Sequence, residues 1–241
     1  MIRLILCFLF LAIFLILSLP IQFVLWLLRF KWPKAPDKVS YPLVAWAFRV
    51  VTVLAGTRLT IVGQDRIPVD TPVLYIGNHR SFFDSVFTYA HIIRPTAYLA
   101  KQETRKVPGM SIWMALMHCQ FLDRKDVKQG LQCILKCIDL AKDGYSITIF
   151  PEGTRNHEEG TLLPFHEGSF KVATKAGIPI VPIAITGSGN VFEDHLPFIR
   201  RADVKMEYLD PIYPDQLDPE DLKHIGAYTR RIIADAMGIE A

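Results

Sequence analysis

The amino-acid sequence lacks the residue patterns on which several common kinds of active site depend. Its 241 residues include four cysteines, and none has a Cys-x-x-Cys partner or a metal-like spacing. We therefore expect no disulfide, no metal site and no cysteine nucleophile. No glycine-rich loop ends in Gly-Lys-Ser/Thr, and the one Gly-Ser-Gly, around Ser188, lacks the Gly-x-Ser-x-Gly spacing of a nucleophile elbow. These absences leave the chain without a protein nucleophile, a nucleotide-binding loop or a metal cluster.

A strong charge of one sign is also missing. The formal net charge is only +3, which is too weak to indicate nucleic acid as a partner but suits an anionic membrane surface or a phosphorylated ligand. Hydrophobic residues make up 51% of the chain, a high share for a purely soluble protein. We therefore expect part of the apolar surface to lie outside the core.

Charged residues and histidine are absent from Leu4 to Leu28. A run of this length is long enough to cross a hydrocarbon layer about 30 Å thick. A secretory signal has a shorter apolar core, of about 7 to 15 residues, and a small-residue cleavage site, and neither is present. Pro20 interrupts the run, and Ser18 and Gln22 flank it, so the sequence allows either a kinked span or a helix that enters one leaflet and returns.

Basic residues are concentrated after this run, where Arg29, Lys31, Lys34 and Lys38 follow it. Because positive residues stay on the cytoplasmic side, we expect the rest of the chain at the cytoplasmic face of the inner or plasma membrane. The next apolar stretch, residues 39–59, has helical spacing and fits a helix packed on the core as well as an interfacial helix whose Arg49 and Arg58 meet lipid headgroups. We expect N-terminal membrane-associating helices over residues 1–58 and a second domain over residues 59–241.

Short apolar runs alternate with longer segments from Leu59 onward. This alternation predicts an α/β fold with a mixed, largely parallel sheet of about seven strands flanked by helices. The runs are LTIV, PVLYIG, AYLA, CQFL, YSITIF, IPIVPIAI and VKMEYL. Residues 126–142 predict a helix with a stripe of Val127, Leu131, Ile134, Leu135 and Ile138. Asp218 is expected to begin a single closing helix.

Residues 78–84, Asn-His-Arg-Ser-Phe-Phe-Asp, follow a predicted central strand at the end where α/β sheets present ligand-binding loops. In an unbroken helix His79 and Asp84 would be rotated by about 140°, so they pair only if His79 lies in the loop before the helix. Ser81 supplies the start of that helix, because Ser-x-x-Asp is a capping-box pattern. Asp84 is therefore a candidate for completing the cap, for orienting the imidazole, or for both. An oriented imidazole leaves its other nitrogen to accept a proton from a substrate hydroxyl.

Three cationic residues stand at predicted strand ends, namely Lys101, Arg124 and Arg155. Arginine forks match phosphate oxygens, so these residues are candidates for a phosphate site. A single such residue is more often a solvated surface group, as we expect for Arg80 and Arg105. Three of them are less easily explained in that way.

The sequence blocks together resemble the glycerolipid acyltransferases, most closely the bacterial 1-acyl-glycerol-3-phosphate acyltransferases. NHRSFFD is similar to the family's His-x4-Asp block, FLDR to its second block, FPEGTR to its third and IPIVPIAI to its fourth. LPFHEGSFKVA resembles the segment between the last two, and the blocks occur in the family's order over nearly the whole chain. His118 is a departure, because the family often carries glycine there, and we expect this histidine to be structural.

The resemblance implies acyl transfer from a thioester, acyl-CoA or acyl carrier protein, to the free hydroxyl of lysophosphatidic acid, which yields phosphatidic acid. It implies His79 as the general base, with Asp84 orienting it, and Arg124 with Lys101 as the groups that hold the acceptor phosphate. Further acceptor contacts are implied for the third block, Glu152, Gly153, Thr154 and Arg155, while Pro182 of the fourth block shapes the pocket.

The chemistry agrees with this division of roles. A thiolate with a pKa near 8.5 leaves unaided, whereas an alcohol is a poor nucleophile until its proton is removed, so one base suffices and we expect no cofactor. A backbone N–H near the start of the helix after Ser81 is our candidate oxyanion donor. Two alternatives remain: an acyltransferase that acts on glycerol 3-phosphate or another lysophospholipid, and a non-catalytic membrane-bound phospholipid-binding protein.

Overall fold

A seven-stranded sheet forms the centre of the protein in a computed structural model that describes residues 1–240. Its strands are β1 Arg58–Val62, β2 Leu74–Gly77, β3 Thr96–Lys101, β4 Gln120–Leu122, β5 Ser146–Ile149, β6 Ile180–Thr186 and β7 Asp203–Tyr208. They lie in the order β1-β7-β6-β2-β5-β3-β4. Every neighbouring pair is parallel except β6 with β7. The predicted mixed, largely parallel sheet of about seven strands is therefore confirmed.

Helices cover both faces of this sheet. They are α1 Ile2–Leu17, α2 Leu19–Leu28, α3 Asp37–Ala55, α4 Phe82–Ala90, α5 Met110–Leu116, α6 Val127–Lys142, α7 Lys171–Ala176, α8 Pro219–Lys223 and α9 Ile225–Met237. Buried residues of α6, α7 and α9 pack against Leu74 and Ile76 on one face, whereas those of α1, α3 and α4 pack against Val73 and Tyr75 on the other. Because both faces are covered, nearly every residue of the central strands β2, β5 and β6 is buried.

The N-terminal helices are apolar and only partly buried. By length and composition α3 could cross a membrane, and α1 with α2 could do so as a pair bent by 48°. The bend lies at Ser18, whose buried hydroxyl accepts a hydrogen bond from the indole of Trp113 at 3.1 Å. Gln22 donates to the same hydroxyl. The polar residues that interrupt the apolar run therefore anchor the bend on α5.

Helix α3 has one buried side, which includes Ala47, Val51 and Ala55, and it packs between α1 and α4. The two arginines considered as contacts for lipid headgroups have protein partners. Nε of Arg49 donates to the carbonyl of Ala90 at 2.7 Å, and Arg58 forms an ion pair with Asp203. Both guanidinium groups therefore have partners within the fold, and the buried side of α3 fits the alternative of a helix packed on the core.

Two of the predicted helices differ in part from the structure. In α6 the residues Val127, Leu131 and Leu135 are exposed, at 87%, 57% and 44%. The side that faces the sheet carries Ile134 and Ile138 of the predicted stripe together with Cys137 and Ala141, because small side chains let the helix lie close to the strands. The closing helix is broken at His224 into α8 and α9, so Asp218 stands at the start of only the short first piece, without a side-chain cap hydrogen bond.

Candidate active site

The carboxyl ends of four strands meet at one edge of the sheet, because β2, β5, β3 and β4 are adjacent and parallel. His79 follows β2, the third block follows β5, Lys101 ends β3 and Arg124 follows β4. Neighbouring strands lie about 4.8 Å apart, which places β3 about 10 Å and β4 about 14 Å from β2. The structure therefore brings the predicted site residues to one edge but spreads the two outer cations away from the histidine.

His79 lies in the loop before α4 and is joined to Asp84, which lies in the first turn of that helix. Its Nδ1 is 3.0 Å from Oδ2 of Asp84. The same oxygen accepts the backbone N–H groups of Arg80 and Ser81 at 2.8 and 2.7 Å, and the Asp84 side chain is fully buried. Ser81 is the N-cap and completes a capping box with Asp84. One carboxylate thus caps the helix and holds the imidazole.

Residues that follow β5 hold His79 from the other side. Oε1 of Glu152 accepts the His79 backbone N–H at 2.7 Å, and the N–H of Asn156 donates to the His79 carbonyl at 2.7 Å. The ring of Phe150 stacks on the imidazole, with 4.4 Å between centroids. The His79 side chain is 17% exposed, and its Nε2 has no hydrogen-bond partner among residues 1–240. The open ring nitrogen can therefore accept a proton.

The surroundings of Glu152 do not support the acceptor contact expected for it. Its second oxygen accepts the N–H of Leu163 at 3.0 Å, and the residue is buried. Burial raises the pKa of this carboxyl above its usual range, although the two backbone hydrogen bonds and the neighbouring His79 oppose that shift. Both oxygens are committed to the backbone, so Glu152 positions the His79 loop.

The rest of the third block forms a tight turn next to the loop that carries His79. Gly153 has φ +69°, in the left-handed region, and a Cβ there would lie 3.2 Å from Nε2 of His166. Both the backbone conformation and the close ring therefore favour glycine. Thr154 is exposed on the same turn. Pro182 of the fourth block is buried in β6, where it pairs with Ile76 of β2, so it lies beneath the site.

The three predicted strand-end cations have different surroundings. Nη1 of Arg155 donates to Oε1 of Glu193 at 2.8 Å. Lys101 is exposed and pairs with Glu103 at 3.2 Å. Arg124 is exposed and has no ion-pair partner within residues 1–240. Arg124 is thus the least engaged of the three, and Arg155 is the one tied to the histidine loop.

The oxyanion donor expected at the start of α4 is not available there. The N–H of Phe82 donates to Oε1 of Glu193, and that of Phe83 donates to the hydroxyl of Ser81. The N–H of Asp84 is bonded to the carbonyl of Ser81, and those of Arg80 and Ser81 are bonded to Asp84. Every one of these amides already has an acceptor, either in the cap or in Glu193, so none of them is free for an oxyanion in this structure.

His118 has a structural environment, as expected. Its φ of +59° lies in the left-handed region, a backbone conformation that favours glycine. Its Nε2 lies 3.1 Å from Oδ1 of Asp37, whose other oxygen accepts the hydroxyl of Tyr145 at 2.7 Å. The ring also packs on Tyr145. The contacts with Asp37 and Tyr145 therefore help to offset the energetic cost of the left-handed backbone conformation at His118.

Comparison with known proteins decides the family. The family model described as Acyltransferase matches residues 58–186. This chain belongs to the Acyltransferase family. The resemblance expected from the four sequence blocks is therefore confirmed, and the matched residues extend from the start of β1 to the end of β6.

Two relatives within this family illustrate its range. The chloroplastic 1-acyl-sn-glycerol-3-phosphate acyltransferase BAT2 of Brassica napus is 30% identical over 177 residues, which cover 73% of this chain and 51% of that protein. The 1-acyl-sn-glycerol-3-phosphate acyltransferase of Haemophilus influenzae is 31% identical over 171 residues, 68% of this chain and 70% of that protein. The chain spans about half the length of several curated relatives that it matches.

A solved structure in the family shares the fold. The crystal structure of the 1-acyl-sn-glycerophosphate (LPA) acyltransferase PlsC from Thermotoga maritima has a TM-score of 0.76 and covers 99% of this chain and 96% of its own. At 20% sequence identity this likeness shows the fold. It includes the N-terminal helices, because nearly the whole of both chains superimposes.

Three contacts around the histidine were missed at the level of sequence. The amide of Asn78 makes two hydrogen bonds to the backbone of Ile185, at 2.9 and 2.8 Å, and so ties the loop to β6. Phe150 stacks on His79, and Glu193 binds the start of α4. Phe150 and Asn78 lie inside recognisable blocks, whereas Glu193 lies in an irregular segment that carries no pattern. Arg80, expected to be a solvated surface group, has a side chain only 13% exposed and forms an ion pair with Asp194.

Proposed function

We propose that the chain transfers a fatty acyl group from an acyl thioester to the free hydroxyl of 1-acyl-glycerol 3-phosphate and so forms phosphatidic acid. The observation that carries this proposal is the held imidazole of His79, with Nδ1 on a buried carboxylate and Nε2 open, at a sheet edge that also presents cationic side chains. The printed names of the bacterial and plant relatives, which specify 1-acyl-sn-glycerol-3-phosphate as the acceptor, support this choice of substrate.

The proposed reaction needs one base and no protein nucleophile. Nε2 of His79 takes the proton from the acceptor hydroxyl, whose oxygen attacks the thioester carbonyl to give a tetrahedral intermediate. The carbon–sulfur bond then breaks, and the departing thiolate takes the proton back from the imidazolium. Asp84 holds the ring and favours its charged form during the step. Acyl-CoA and acyl carrier protein both supply such a thioester.

The cations at the sheet edge are proposed to hold the acceptor phosphate. Arg155 is tied to the histidine loop, and its side chain is 41% exposed. Lys101 is exposed one strand further along and Arg124 two strands further along. A guanidinium fork offers two parallel hydrogen bonds to phosphate oxygens, and this fixes the distance between phosphate and hydroxyl. The phosphate clamp acts mainly by placing the hydroxyl beside Nε2.

The N-terminal helices are proposed to hold the enzyme at the cytoplasmic face of the membrane. Trp26 and Trp32 are 40% and 53% exposed, and the cations of Arg29 and Lys31 lie over their rings at 5.6 and 4.7 Å. Tryptophan and basic residues are enriched at the level of lipid headgroups. Residence at this surface spares the enzyme from exposing acyl chains to water at about 0.8 kcal/mol per CH₂.

A purified-enzyme assay tests the proposal. Lysophosphatidate, glycerol 3-phosphate and a neutral lysolipid are offered as acceptors, each with acyl-CoA and with acyl carrier protein. We expect turnover with lysophosphatidate to exceed turnover with the other acceptors. Preference for glycerol 3-phosphate or the neutral lysolipid would overturn the acceptor assignment. Binding of lysophosphatidate without transfer from either donor would favour a non-catalytic lipid-binding protein.

A further inference from the structure

Glu193 bonds three residues around the candidate site, although it lies outside all four sequence blocks. Its side chain is 2% exposed. Oε1 accepts the N–H of Phe82 at 2.7 Å and Nη1 of Arg155 at 2.8 Å. Oε2 accepts the hydroxyl of Ser81. One buried carboxylate therefore joins the first turn of α4, which carries Asp84, to the arginine of the third block.

The hydrogen bond to Glu193 holds one nitrogen of the Arg155 guanidinium and leaves the other nitrogens without a protein partner within residues 1–240. Only its Nη1 is bonded to a protein group within residues 1–240, and the side chain is 41% exposed. A guanidinium has five donors in a rigid planar fork, so Nε and Nη2 remain for a ligand. An arginine fixed by a buried carboxylate loses less rotamer freedom when it binds a phosphate.

We propose that Glu193 is a positioning residue that holds the guanidinium of Arg155 at a fixed distance from His79 for the acceptor phosphate. The inference rests on the proposed function, because it assumes that Arg155 contacts this phosphate. Glu193 fixes that distance because its carboxylate bonds both the loop that carries His79 and the side chain of Arg155. It bonds Ser81 and Phe82 next to the Asp84–His79 pair, and it bonds Arg155 through the same carboxylate.

Asp194, the residue after Glu193, also binds an arginine next to the histidine loop. Asp194 forms an ion pair with Arg80, whose side chain also contacts the exposed Glu159. A Cβ at Gly189 would lie 2.7 Å from Oδ2 of Asp194 and 2.9 Å from Cζ of Arg80, so the backbone closes directly over this pair. The segment that carries Glu193 is thus fastened to the histidine loop at two points.

An opposite role for Glu193 makes the opposite prediction. A carboxylate that merely neutralised Arg155 would compete with phosphate, and removal of its charge would tighten acceptor binding. A carboxylate that positions Arg155 instead weakens acceptor binding when its charge is removed. The direction of the change in KM for lysophosphatidate therefore separates the two roles.

The test is the variant Glu193→Gln, which keeps an oxygen for α4 and loses the charge that holds Arg155. We expect KM for lysophosphatidate to rise about tenfold, because charge-assisted hydrogen bonds are roughly twice as strong as neutral ones. KM for acyl-CoA and the turnover of a neutral lysolipid should change less than about twofold. Glu159→Gln, at an exposed partner of Arg80, is the matched control and should leave every parameter unchanged.

A double-mutant cycle keeps failure of the inference apart from failure of the proposed function. We expect Arg155→Ala to raise KM for lysophosphatidate and Glu193→Gln to add nothing in that background. No effect of Arg155→Ala would refute the acceptor role proposed for Arg155. An effect of Arg155→Ala with an unchanged or lowered KM in Glu193→Gln would overturn the positioning role alone. If Glu193→Gln does not fold, Arg155→Lys removes the fork and keeps the charge, and an unchanged KM there overturns the inference.

Discussion

The carboxylate of Glu152 is bonded directly to the backbone of His79, with 2.7 Å between Oε1 and the histidine nitrogen. Its other oxygen accepts the N–H of Leu163. A buried side chain that follows β5 therefore sets the position of the loop that follows β2. This relationship supports a role for the glutamate of the third block in holding the proposed base.

Glu152→Gln should lower kcat more than it raises KM for the acceptor. The glutamine oxygen can replace only one carboxylate oxygen, and its NH₂ group would face the N–H of Leu163, so one buried hydrogen bond is lost at a cost of about 1–3 kcal/mol. Urea unfolding and steady-state kinetics check both effects, with the exposed Glu158→Gln as the control. A large rise in KM at unchanged kcat would instead indicate that Glu152 contributes to acceptor binding.

The pH dependence of this stability difference follows from the raised pKa of Glu152. The folded protein holds the carboxyl proton more tightly than the unfolded chain, whose value is about 4.5. The corresponding stabilisation is complete below that pH and is lost as pH rises through the pKa of the folded state. The advantage of the wild type over Glu152→Gln should therefore shrink with rising pH in urea titrations from pH 4 to 8. An advantage that grows over this range would contradict the assignment.

Asp84→Asn should preserve the helix cap and impair the base. The amide oxygen can still accept backbone N–H groups, but the negative charge that favours the imidazolium is gone, so we expect kcat to fall at least about 10²-fold. Ser81→Ala serves as the comparison, because it weakens the cap by about 1 kcal/mol and leaves the imidazole on its carboxylate. Equal losses of kcat in both variants would mean that Asp84 acts only through the cap.

Arg124→Ala should weaken the use of phosphorylated acceptor and leave the donor unaffected. The guanidinium is exposed at the end of β4, where it is free to bind phosphate. We expect a severalfold rise in KM for lysophosphatidate, measured with each substrate varied separately. Arg105→Ala is the matched control, since Arg105 is an exposed cation that lies over the ring of Phe121, at 6.0 Å. Equal effects of the two variants would indicate a general surface charge.

The parts of the fold that follow from local pattern were predictable from the sequence. The strands were found because a central parallel strand is a short apolar run between turn residues, and the pairing of His79 with Asp84 followed from the cap at Ser81. The side of α6 that faces the sheet was not fully predictable from the sequence. Cys137 and Ala141 are small, so they add little to the apolar pattern of a helix. Large residues such as Val127 fit the helical period equally well and are exposed.

Long-range contacts of irregular segments could not be read from the sequence. Glu193 is separated from Phe82 by 111 positions and follows a short helical turn without periodicity. The role of Glu152 was missed for a related reason, because its backbone partners become visible only when the loops after β2 and β5 meet. The use of the first amides of α4 by Glu193 and Asp84 likewise excluded the oxyanion donor placed there.

The acyl-transfer rate of His79→Ala, measured in a single turnover with lysophosphatidate binding determined in parallel, tests the central claim most directly. We predict a fold and an acceptor affinity close to those of the wild type, together with a loss of about 10²- to 10⁴-fold in the rate. The exposed His157→Ala should match the wild type in both measurements. An undiminished rate in folded His79→Ala would contradict the account.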